Sequence, residues 1–494
     1  MNILVAGASG YIGQQLVPLL VKAGHSVHCM VRDPARIKRS FSREVRLVAA
    51  DALKPDTLSA ALEGVEVAYY LIHSMNEGEK GFEQRDVEAA SNFAKAAKTS
   101  GVQRLVYLGG LGQSGTHLSA HLKSRHHTGE ILRQFGPPTT ELRAAIIVGN
   151  GSISFEMIRY LCERLPAMIC PRWVTTRVQP IAINDILAYL VATLDSPSSI
   201  GQIIEIGGAG VETYYSMMVI YARVRGLQRC LLRVPVLTPR LSSYWLDLVT
   251  PIPAAISRPL IEGLRSEVIV CDNKAKDIFP DIHPVNYEQA VRLAFDRPDP
   301  AATESAVVHS AQSDRGHRLM RRDGLVLDIS HRVVKAPAST LFSFVQGIGG
   351  KRGWLYANQL WQIRGAIDSL FGGVGLRRGR KNPDQLNNGD ALDFWAVQEV
   401  TKNSRILLRA EMKVPGRAWL EFTFSPVDAE TTHFYCVAVF EPLGLAGELY
   451  WDLLYPIHWM IFRGLTGKIK SAAEKQAASA QIIAGKSASH ELLR

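Results

Sequence analysis

The sequence predicts an α/β protein in which a doubly wound parallel sheet is followed by a smaller α+β domain. Through the first three fifths of the chain, apolar runs of strand length alternate with helical patterns, which indicates βαβ units. A glycine-rich turn follows the first of these runs. The last third carries period-two runs and then a long apolar helical stretch. Because 494 residues exceed what one hydrophobic core holds, two domains also fit the length.

The chain opens on a strand, a glycine-rich turn and a helix. Residues 3–6 are apolar, and glycines follow at positions 7, 10 and 13 before a helical pattern over residues 11–23. The first glycine permits the tight turn, the second a close approach of a diphosphate, and the third close packing of the helix on the sheet. The helix N-terminus attracts that anion. We therefore predict a dinucleotide-binding loop made by Gly7, Ser9, Gly10, Tyr11, Ile12 and Gly13.

The residue after the second predicted strand, residues 25–31, bears on the choice of cofactor. NAD-binding proteins place an acidic side chain there, which bonds the ribose hydroxyls. This chain has Arg32, whose guanidinium can pair with a 2′-phosphate and stack on adenine. NADP is therefore favoured over NAD. Asp33 keeps NAD open, because its carboxylate could reach a ribose, and Arg32 could also be an ordinary solvated charge.

Three further strands are predicted to end at the same edge of the sheet. The third, from residue 45, leads to Asp51 and Ala52; the fourth, residues 67–72, ends at Ile72 beside His73; the fifth, residues 103–108, is followed by Gly109. Carboxyl ends of parallel strands line the ligand crevice of open α/β sheets. We expect all five of these residues along the cofactor path.

The glycine spacing and the Asp51-x₆-Leu58 turn resemble the extended and atypical branches of the short-chain dehydrogenase/reductase superfamily. The resemblance implies a Rossmann fold, a nicotinamide cofactor, and contacts of Asp51 and Ala52 with the adenine. It also implies a catalytic Ser after strand five and a Tyr-x-x-x-Lys downstream. In this chain Gly109 stands at the Ser position, His121 at the Tyr position and Arg125 at the Lys position.

These replacements leave the chemistry open. His121 can act as an acid or base near neutral pH, and Arg125 can hold a ribose by hydrogen bonds but cannot shed a proton. We take both as candidate catalytic residues. A histidine-rich surface turn explains His121, His126 and His127 equally well. No metal site is predicted, because no cysteine is near and adjacent helical residues point in different directions.

The last third of the chain resembles the helix-grip fold of START-like domains, and also a bacterial domain of unknown function that is fused to atypical short-chain dehydrogenases. The resemblance is carried by a strand from residue 325, a helix over residues 336–345, four strand-like runs between 390 and 440, and an apolar helical stretch over residues 442–469. A helix-grip fold implies an apolar cavity. Five tryptophans are candidates to line it, or simply to fill the core: Trp354, Trp361, Trp395, Trp419 and Trp451.

These patterns define four segments. We predict an NAD(P)-binding domain over residues 1–298, a polar linker over 299–324, a START-like domain over 325–472 and a flexible Ala/Lys/Ser-rich tail over 473–494. The stretch over residues 231–292 is expected to cover the substrate, and its Leu, Pro and aromatic content favours an apolar one. A basic run, Arg377, Arg378, Arg380 and Lys381, either contacts phosphates or headgroups or is a solvated loop.

Charge and cysteine content limit the setting. The formal net charge of +10 suits an anionic cofactor or weak attraction to an anionic membrane, and no nucleic-acid motif accompanies it. Charges and Pro456 within residues 442–462 favour a buried or peripheral helix over a membrane span. A strand from residue 2 leaves no room for a signal peptide, and six scattered cysteines are expected in the core. We expect a cytoplasmic protein with peripheral contact to the inner membrane as an option.

Two functions remain from the sequence alone. The first is an NADP-dependent oxidoreductase acting on an apolar small molecule, which the second domain helps to bind; a lipid or quinone fits that class. The second is a non-catalytic NADPH sensor or a scaffold at a membrane or respiratory complex. The missing Ser-Tyr-Lys set favours the second function, and the expected cavity favours the first.

Overall fold

The computed structural model describes residues 1–34, 45–73, 82–112, 119–234, 263, 266–295, 316–322, 324–375, 380 and 382–491. The chain divides into two compact units, Met1–Pro298 and Asp299–Arg494.

The first unit is built on a seven-stranded parallel sheet, which confirms the predicted α/β class. Its order is β11-β6-β5-β4-β1-β2-β3, so the chain reverses direction across the sheet at β1. Its strands are β1 Asn2–Ala6, β2 Ser26–Val31, β3 Arg46–Ala49, β4 Val67–Tyr70, β5 Arg104–Gly110, β6 Thr139–Ala144 and β11 Ile203–Ile206. Six short strands pair outside it: β7 Ile147–Val148, β8 Ala167–Cys170, β9 Arg177–Val178, β10 Ile181–Ala182, β12 Glu212–Thr213 and β13 Cys230–Arg233.

Helices cover both faces of this sheet. Successive residues of β1 belong to different cores, Ile3 and Val5 to one and Leu4 and Ala6 to the other, because side chains alternate along a strand. A strand buried on both faces must be apolar throughout, as this one is from residue 3. The helices are α1 Tyr11–Lys22, α2 Leu58–Leu62, α3 Phe82–Thr99, α4 Ala120–Phe135, α5 Ile153–Arg164, α6 Ile183–Ala192, α7 Tyr214–Val224, α8 Lys274–Ile278 and α9 Tyr287–Phe295.

The second unit is an antiparallel sheet of seven strands, in the order β14-β15-β20-β19-β18-β17-β16, and its described residues include three α-helices. Its main core contains residues of the sheet, such as Val326 and Phe422, and residues of the long last helix, such as Leu465. Its identity as a START-like helix grip stays a prediction. The elements are β14 His317–Arg322, β15 Leu325–Val334, α10 Ala338–Gln346, α11 Asn358–Leu370, β16 Ala391–Leu392, β17 Trp395–Thr401, β18 Arg405–Ala410, β19 Gly416–Pro426, β20 Thr432–Pro442 and α12 Gly444–Glu491.

Two predicted boundaries of this unit are corrected. Residues 317–322, assigned to the linker, form the edge strand β14, because an edge strand tolerates the charged side chains that made this stretch look like a linker. The predicted tail from residue 473 continues helix α12 as far as Glu491. Ala473 and Ala477 of that stretch are buried in the core, and alanine is the best helix former.

The cysteine prediction is also corrected. Four cysteines are buried as expected, but Cys230 and Cys271 are exposed. Cys230 begins the short strand β13, which pairs only with β8 among the described strands, and Cys271 lies between β13 and α8. Residues 235–262 of the expected substrate cover lie outside the described residues.

Candidate functional site

The glycine loop at the carboxyl end of β1 packs tightly against neighbouring backbone, so two of its glycines leave no room for a side chain. Gly7 has φ +90°, and a Cβ there would lie 2.7 Å from the carbonyl carbon of Leu71. A Cβ at Gly13 would lie 2.7 Å from the Cα of Ala8. The Gly10 amide donates to the Gly7 carbonyl at 2.9 Å and forms the N-cap of α1. The N-terminus of α1, with its positive dipole end, therefore lies at this loop, which fits the diphosphate of a dinucleotide.

The predicted adenine-side residues lie at the same edge. Val31 of β2 pairs with Ala49 of β3, so Arg32 and Asp51 follow the ends of neighbouring strands. Arg32 is exposed. The Asp51 carboxylate accepts the Leu53 amide at 3.1 Å and so stabilises its own turn. Contacts of Ser9, Tyr11, Ile12, Arg32, Asp51, Ala52 and Ile72 with a cofactor stay predictions.

His73 is held by a carboxylate that the sequence did not single out. Its Nδ1 lies 3.1 Å from Oδ2 of Asp86 in α3, and the Ser124 hydroxyl donates to the same oxygen at 3.4 Å. Asp86 is buried on the same face of α3 as the apolar residues Ala89, Ala90 and Phe93, which follow it. In the sequence, a carboxylate among the apolar positions of a predicted helix is the signal that could have identified Asp86 as a site residue. Because the Nδ1 proton goes to Asp86, the Nε2 atom of His73 carries the lone pair.

His121, at the start of α4, joins this pair. The rings of His73 and His121 lie 5.0 Å apart, centroid to centroid. Burial, together with the nearby His73 and Arg125, lowers the pKa of His121 to about 3. Burial also lowers the pKa of His73, against the opposing hydrogen bond to Asp86. Both imidazoles are therefore neutral near pH 7. His73 Nε2 and His121 Nδ1 are buried without a hydrogen-bond partner among the described residues.

Gly109 lies in β5 and Arg125 lies in helix α4, and their roles toward a cofactor or substrate stay predictions. The Arg125 guanidinium donates to the Leu108 carbonyl and lies 5.4 Å from the centre of the Tyr107 ring. A Cβ at Gly109 would lie 3.0 Å from Oε1 of Glu141, a buried carboxylate paired with Arg143 at 2.7 Å. A side chain at position 109 would therefore crowd an ion pair that sequence reasoning missed.

The second unit contains a separate cleft of about 750 Å³. Trp354 and Trp361 line it, with ring centroids 5.2 Å apart. Asp393 accepts the Trp354 indole N–H at 2.9 Å and the Gly350 amide at 3.2 Å, which holds one wall of the cleft. Arg380 also lines the cleft. Arg377, Arg378 and Lys381 of the basic run lie outside the described residues.

The other three tryptophans do not line this cleft. Trp395 and Trp451 are buried in the main core of the second unit, and Trp419 is buried in the smaller core on the opposite face of the sheet. Their role is packing. Among the described residues, no three His, Cys, Asp or Glu side chains lie close enough together to bind a metal ion.

Comparison with known families matches each unit to a separate model. A family described as NAD(P)H-binding matches residues 7–144. A second family, DUF2867, described as a protein of unknown function, matches residues 324–465. Both matches lie within the units seen in the structure. The first includes the glycine loop, His73, Asp86 and His121.

Curated relatives match part of the chain. A subunit of mitochondrial NADH dehydrogenase [ubiquinone], 1 alpha subcomplex subunit 9 of Arabidopsis thaliana, is 25% identical over 304 residues, 58% of this chain and 74% of that protein. Ceramide reductase of Caulobacter vibrioides is 26% identical over 238 residues, 47% of this chain and 73% of that protein. Photosystem II assembly factor Ycf39 of Synechocystis is 30% identical over 109 residues, 22% of this chain and 33% of that factor.

These relatives are named for different roles, so they agree on the type of domain and not on a reaction. The glycine cradle, the parallel sheet and the family match lead to the same assignment. Residues 7–144 match the NAD(P)H-binding family and carry a Rossmann-like parallel sheet, and residues 324–465 match the DUF2867 family.

Proposed function

We propose that the protein is an NADPH-dependent reductase of an apolar carbonyl or quinone compound. The observation that carries this proposal is the partly buried His73–Asp86 pair beside His121. The pair follows β4 closely, and the glycine loop packs against Leu71, two residues before His73. Buried polar groups without partners are uncommon away from functional sites. Two neutral imidazoles with free nitrogens therefore fit a site that receives a polar substrate atom.

Each side chain has a distinct role in this proposal. Asp86 fixes the tautomer of His73, so its Nε2 can accept or return a proton. His121 stays neutral and donates one N–H hydrogen bond, which polarises a substrate carbonyl oxygen. Arg125 holds the nicotinamide ribose. The bound cofactor supplies a hydride. The proton that completes the alcohol or hydroquinone passes through His73 from solvent.

The preference for NADPH rests on Arg32. Its exposed guanidinium at the end of β2 suits a 2′-phosphate, for which a charged, bidentate donor is the usual partner. No aspartate or glutamate directly follows β2 in the sequence.

An apolar substrate class is supported by the second unit. Two tryptophans, Trp354 and Trp361, line its cleft with their rings tilted by 33° to one another, and such a surface binds planar apolar molecules through ring contacts. We propose that the DUF2867 domain binds the same class of compound as the reductase site. The name of one relative, ceramide reductase, is in keeping with an apolar substrate.

A cofactor-binding scaffold or sensor is the second candidate. It is favoured by Gly109 and Arg125, which stand where the superfamily has Ser and Lys, and by the Glu141 carboxylate that crowds position 109. A scaffold binds NADPH but does not oxidise it, whichever acceptor is offered.

Turnover separates the two candidates. The full-length protein is tested for NADPH oxidation with a panel of aldehydes, ketones and quinones, and NADPH affinity is measured by calorimetry. A reductase loses turnover in His73→Asn and His121→Asn but retains NADPH binding. His127→Asn is the control, since His127 is exposed on the same helix as His121. Tight NADPH binding without turnover on any acceptor supports the scaffold.

A further inference from the structure

Helix α11 carries a strip of apolar side chains that the fold leaves uncovered. Ile363 and Ile367 are 55% and 52% exposed, and Leu370 and Phe371 at the end of the helix are 83% and 69% exposed. Their spacing of four, three and one residues places them on one face. Large aliphatic side chains in soluble proteins are rarely left this open as a group.

The first turns of helix α12 carry a second strip. Leu449 and Leu453 are 60% and 80% exposed, and Leu445, Ile457 and Met460 are exposed as well. The strip repeats every three to four residues on the side of the helix away from Trp451 and Phe462, which are buried in the core. We call the residues Ile363, Ile367, Leu370, Phe371, Leu445, Leu449, Leu453, Ile457 and Met460 the helical apolar surface.

The two helices are neighbours in the second unit. Arg364 of α11 donates to the Tyr450 hydroxyl of α12 at 2.5 Å. It also lowers the pKa of His458 in the next turns of α12, where burial is the larger cause. The strips therefore flank one another on a single domain and do not occur on unrelated parts of the chain.

Charge around this surface favours an anionic partner. The two acidic residues of the first α12 turns, Glu448 and Asp452, are both paired with Arg321 of β14. Cations lie at the margins: the exposed Arg463 stacks 5.2 Å from the Trp459 ring centre, and the Lys413 ammonium lies beside Gly372, directly after the α11 strip. An apolar surface with basic margins and aromatic Trp459 at its edge matches the interface of an anionic lipid leaflet.

None of the helices within the described residues has the length and hydropathy needed to cross a bilayer. The apolar strip of α12 also faces one side only, whereas a spanning helix is apolar all round. The surface therefore fits a helix pair that lies in the plane of the interface.

We propose that the helical apolar surface docks the protein on the surface of an anionic lipid bilayer. This inference does not depend on turnover by the reductase site. A second copy of the chain is the competing occupant of this surface.

The test is flotation of the full-length protein with phosphatidylcholine vesicles that contain or lack phosphatidylglycerol. We expect binding to the anionic vesicles, weaker at high salt. The double variant Leu370→Gln, Leu453→Gln is expected to bind about tenfold or more weakly, the loss that an exposed leucine's insertion implies. Both side chains are at least 80% exposed, so the fold loses little packing.

Val427→Gln is the matched control, because Val427 is 56% exposed but lies in the β19–β20 hairpin. It should bind as the wild type does. Sedimentation velocity without lipid is run in parallel. Absent binding to anionic vesicles, or equal binding by the double variant, overturns the proposal. Self-association that the double variant abolishes, with no vesicle binding, would assign the surface to a second copy instead.

Discussion

The Nδ1 atom of His73 lies 3.1 Å from Oδ2 of Asp86, so a residue just beyond strand β4 is oriented by a carboxylate of helix α3. Neither residue belongs to the Ser-Tyr-Lys pattern. The contact sits next to His121, which replaces the Tyr of that pattern. In the reductase that we propose, this pair supplies the acid–base group from a different part of the chain.

Replacing Asp86 tests this pair. Asp86→Asn removes the charge that fixes the His73 tautomer, and we expect turnover to fall by roughly 100-fold while NADPH affinity changes little. The pH profile should shift as well, because Asp86 opposes the lowering of the His73 pKa. Glu130→Gln is the control, since it removes the carboxylate from an exposed pair with His127. Unchanged turnover and pH profile in Asp86→Asn would remove the pair from the reaction.

Arg32 is expected to set cofactor preference. Arg32→Glu removes a charged donor and adds repulsion, so NADPH affinity should fall about 10- to 100-fold while NADH affinity is kept or rises. Arg46→Glu serves as the control. Arg46 is the first residue of β3, so it lies at the amino ends of the strands, whereas Arg32 follows the carboxyl end of β2. Calorimetric titration with both cofactors measures the change. Equal affinities in both the wild type and Arg32→Glu would place Arg32 outside the site.

The glycine loop should not tolerate a side chain. In Gly7→Ala the new Cβ meets the Leu71 carbonyl group, in a backbone conformation with φ +90°. We expect loss of NADPH binding and a destabilisation of about 1–3 kcal/mol. Gly24→Ala separates the cost of a positive φ from the cost of the steric clash. Gly24 has φ +82°, and nothing lies within 4 Å of its added Cβ. Thermal unfolding with and without NADPH is the measurement, and tight NADPH binding by Gly7→Ala would contradict the cradle.

Low pH should destabilise the first unit through His121. The folded pKa of about 3 lies below the unfolded value of 6.5, so the unfolded chain takes up the proton first. The contribution is complete above pH 6.5 and is lost as pH falls from there toward 3. His121→Gln should therefore show a smaller fall in Tm between pH 7 and pH 4 than the wild type. An identical fall in both proteins would show that His121 is not held neutral by burial.

A planar apolar ligand should stabilise the second unit. We expect a naphthoquinone to raise its Tm by an amount that grows with concentration, and at about 100 times Kd the added free energy of unfolding is about 2.7 kcal/mol. Trp361→Leu should reduce that rise, since Trp361 lines the cleft. Trp419→Leu is the control, because Trp419 packs on the other face of the sheet. A similar shift in all three proteins would point to a different binding position.

Much of this protein follows from local sequence. Residues 3–6 are apolar without a break because β1 is buried on both faces, and glycines stand at 7 and 13 because backbone atoms occupy the space of a Cβ. The absence of Ser, Tyr and Lys at positions 109, 121 and 125 is visible in the sequence alone. Such features depend on residues near one another in the chain, so periodicity and spacing report them.

Only the tertiary structure decided which distant side chains meet. Asp86 reaches His73, and Glu141 lies behind Gly109, because strand order places β4, β5 and β6 side by side. Residues 317–322 have the composition of a linker, and they form a strand because β15 of the second sheet pairs with them. The apolar residues of α12 are indistinguishable in sequence from core residues. Whether Leu453 is covered or exposed depends on what the rest of the domain packs against, and that is a property of the folded chain.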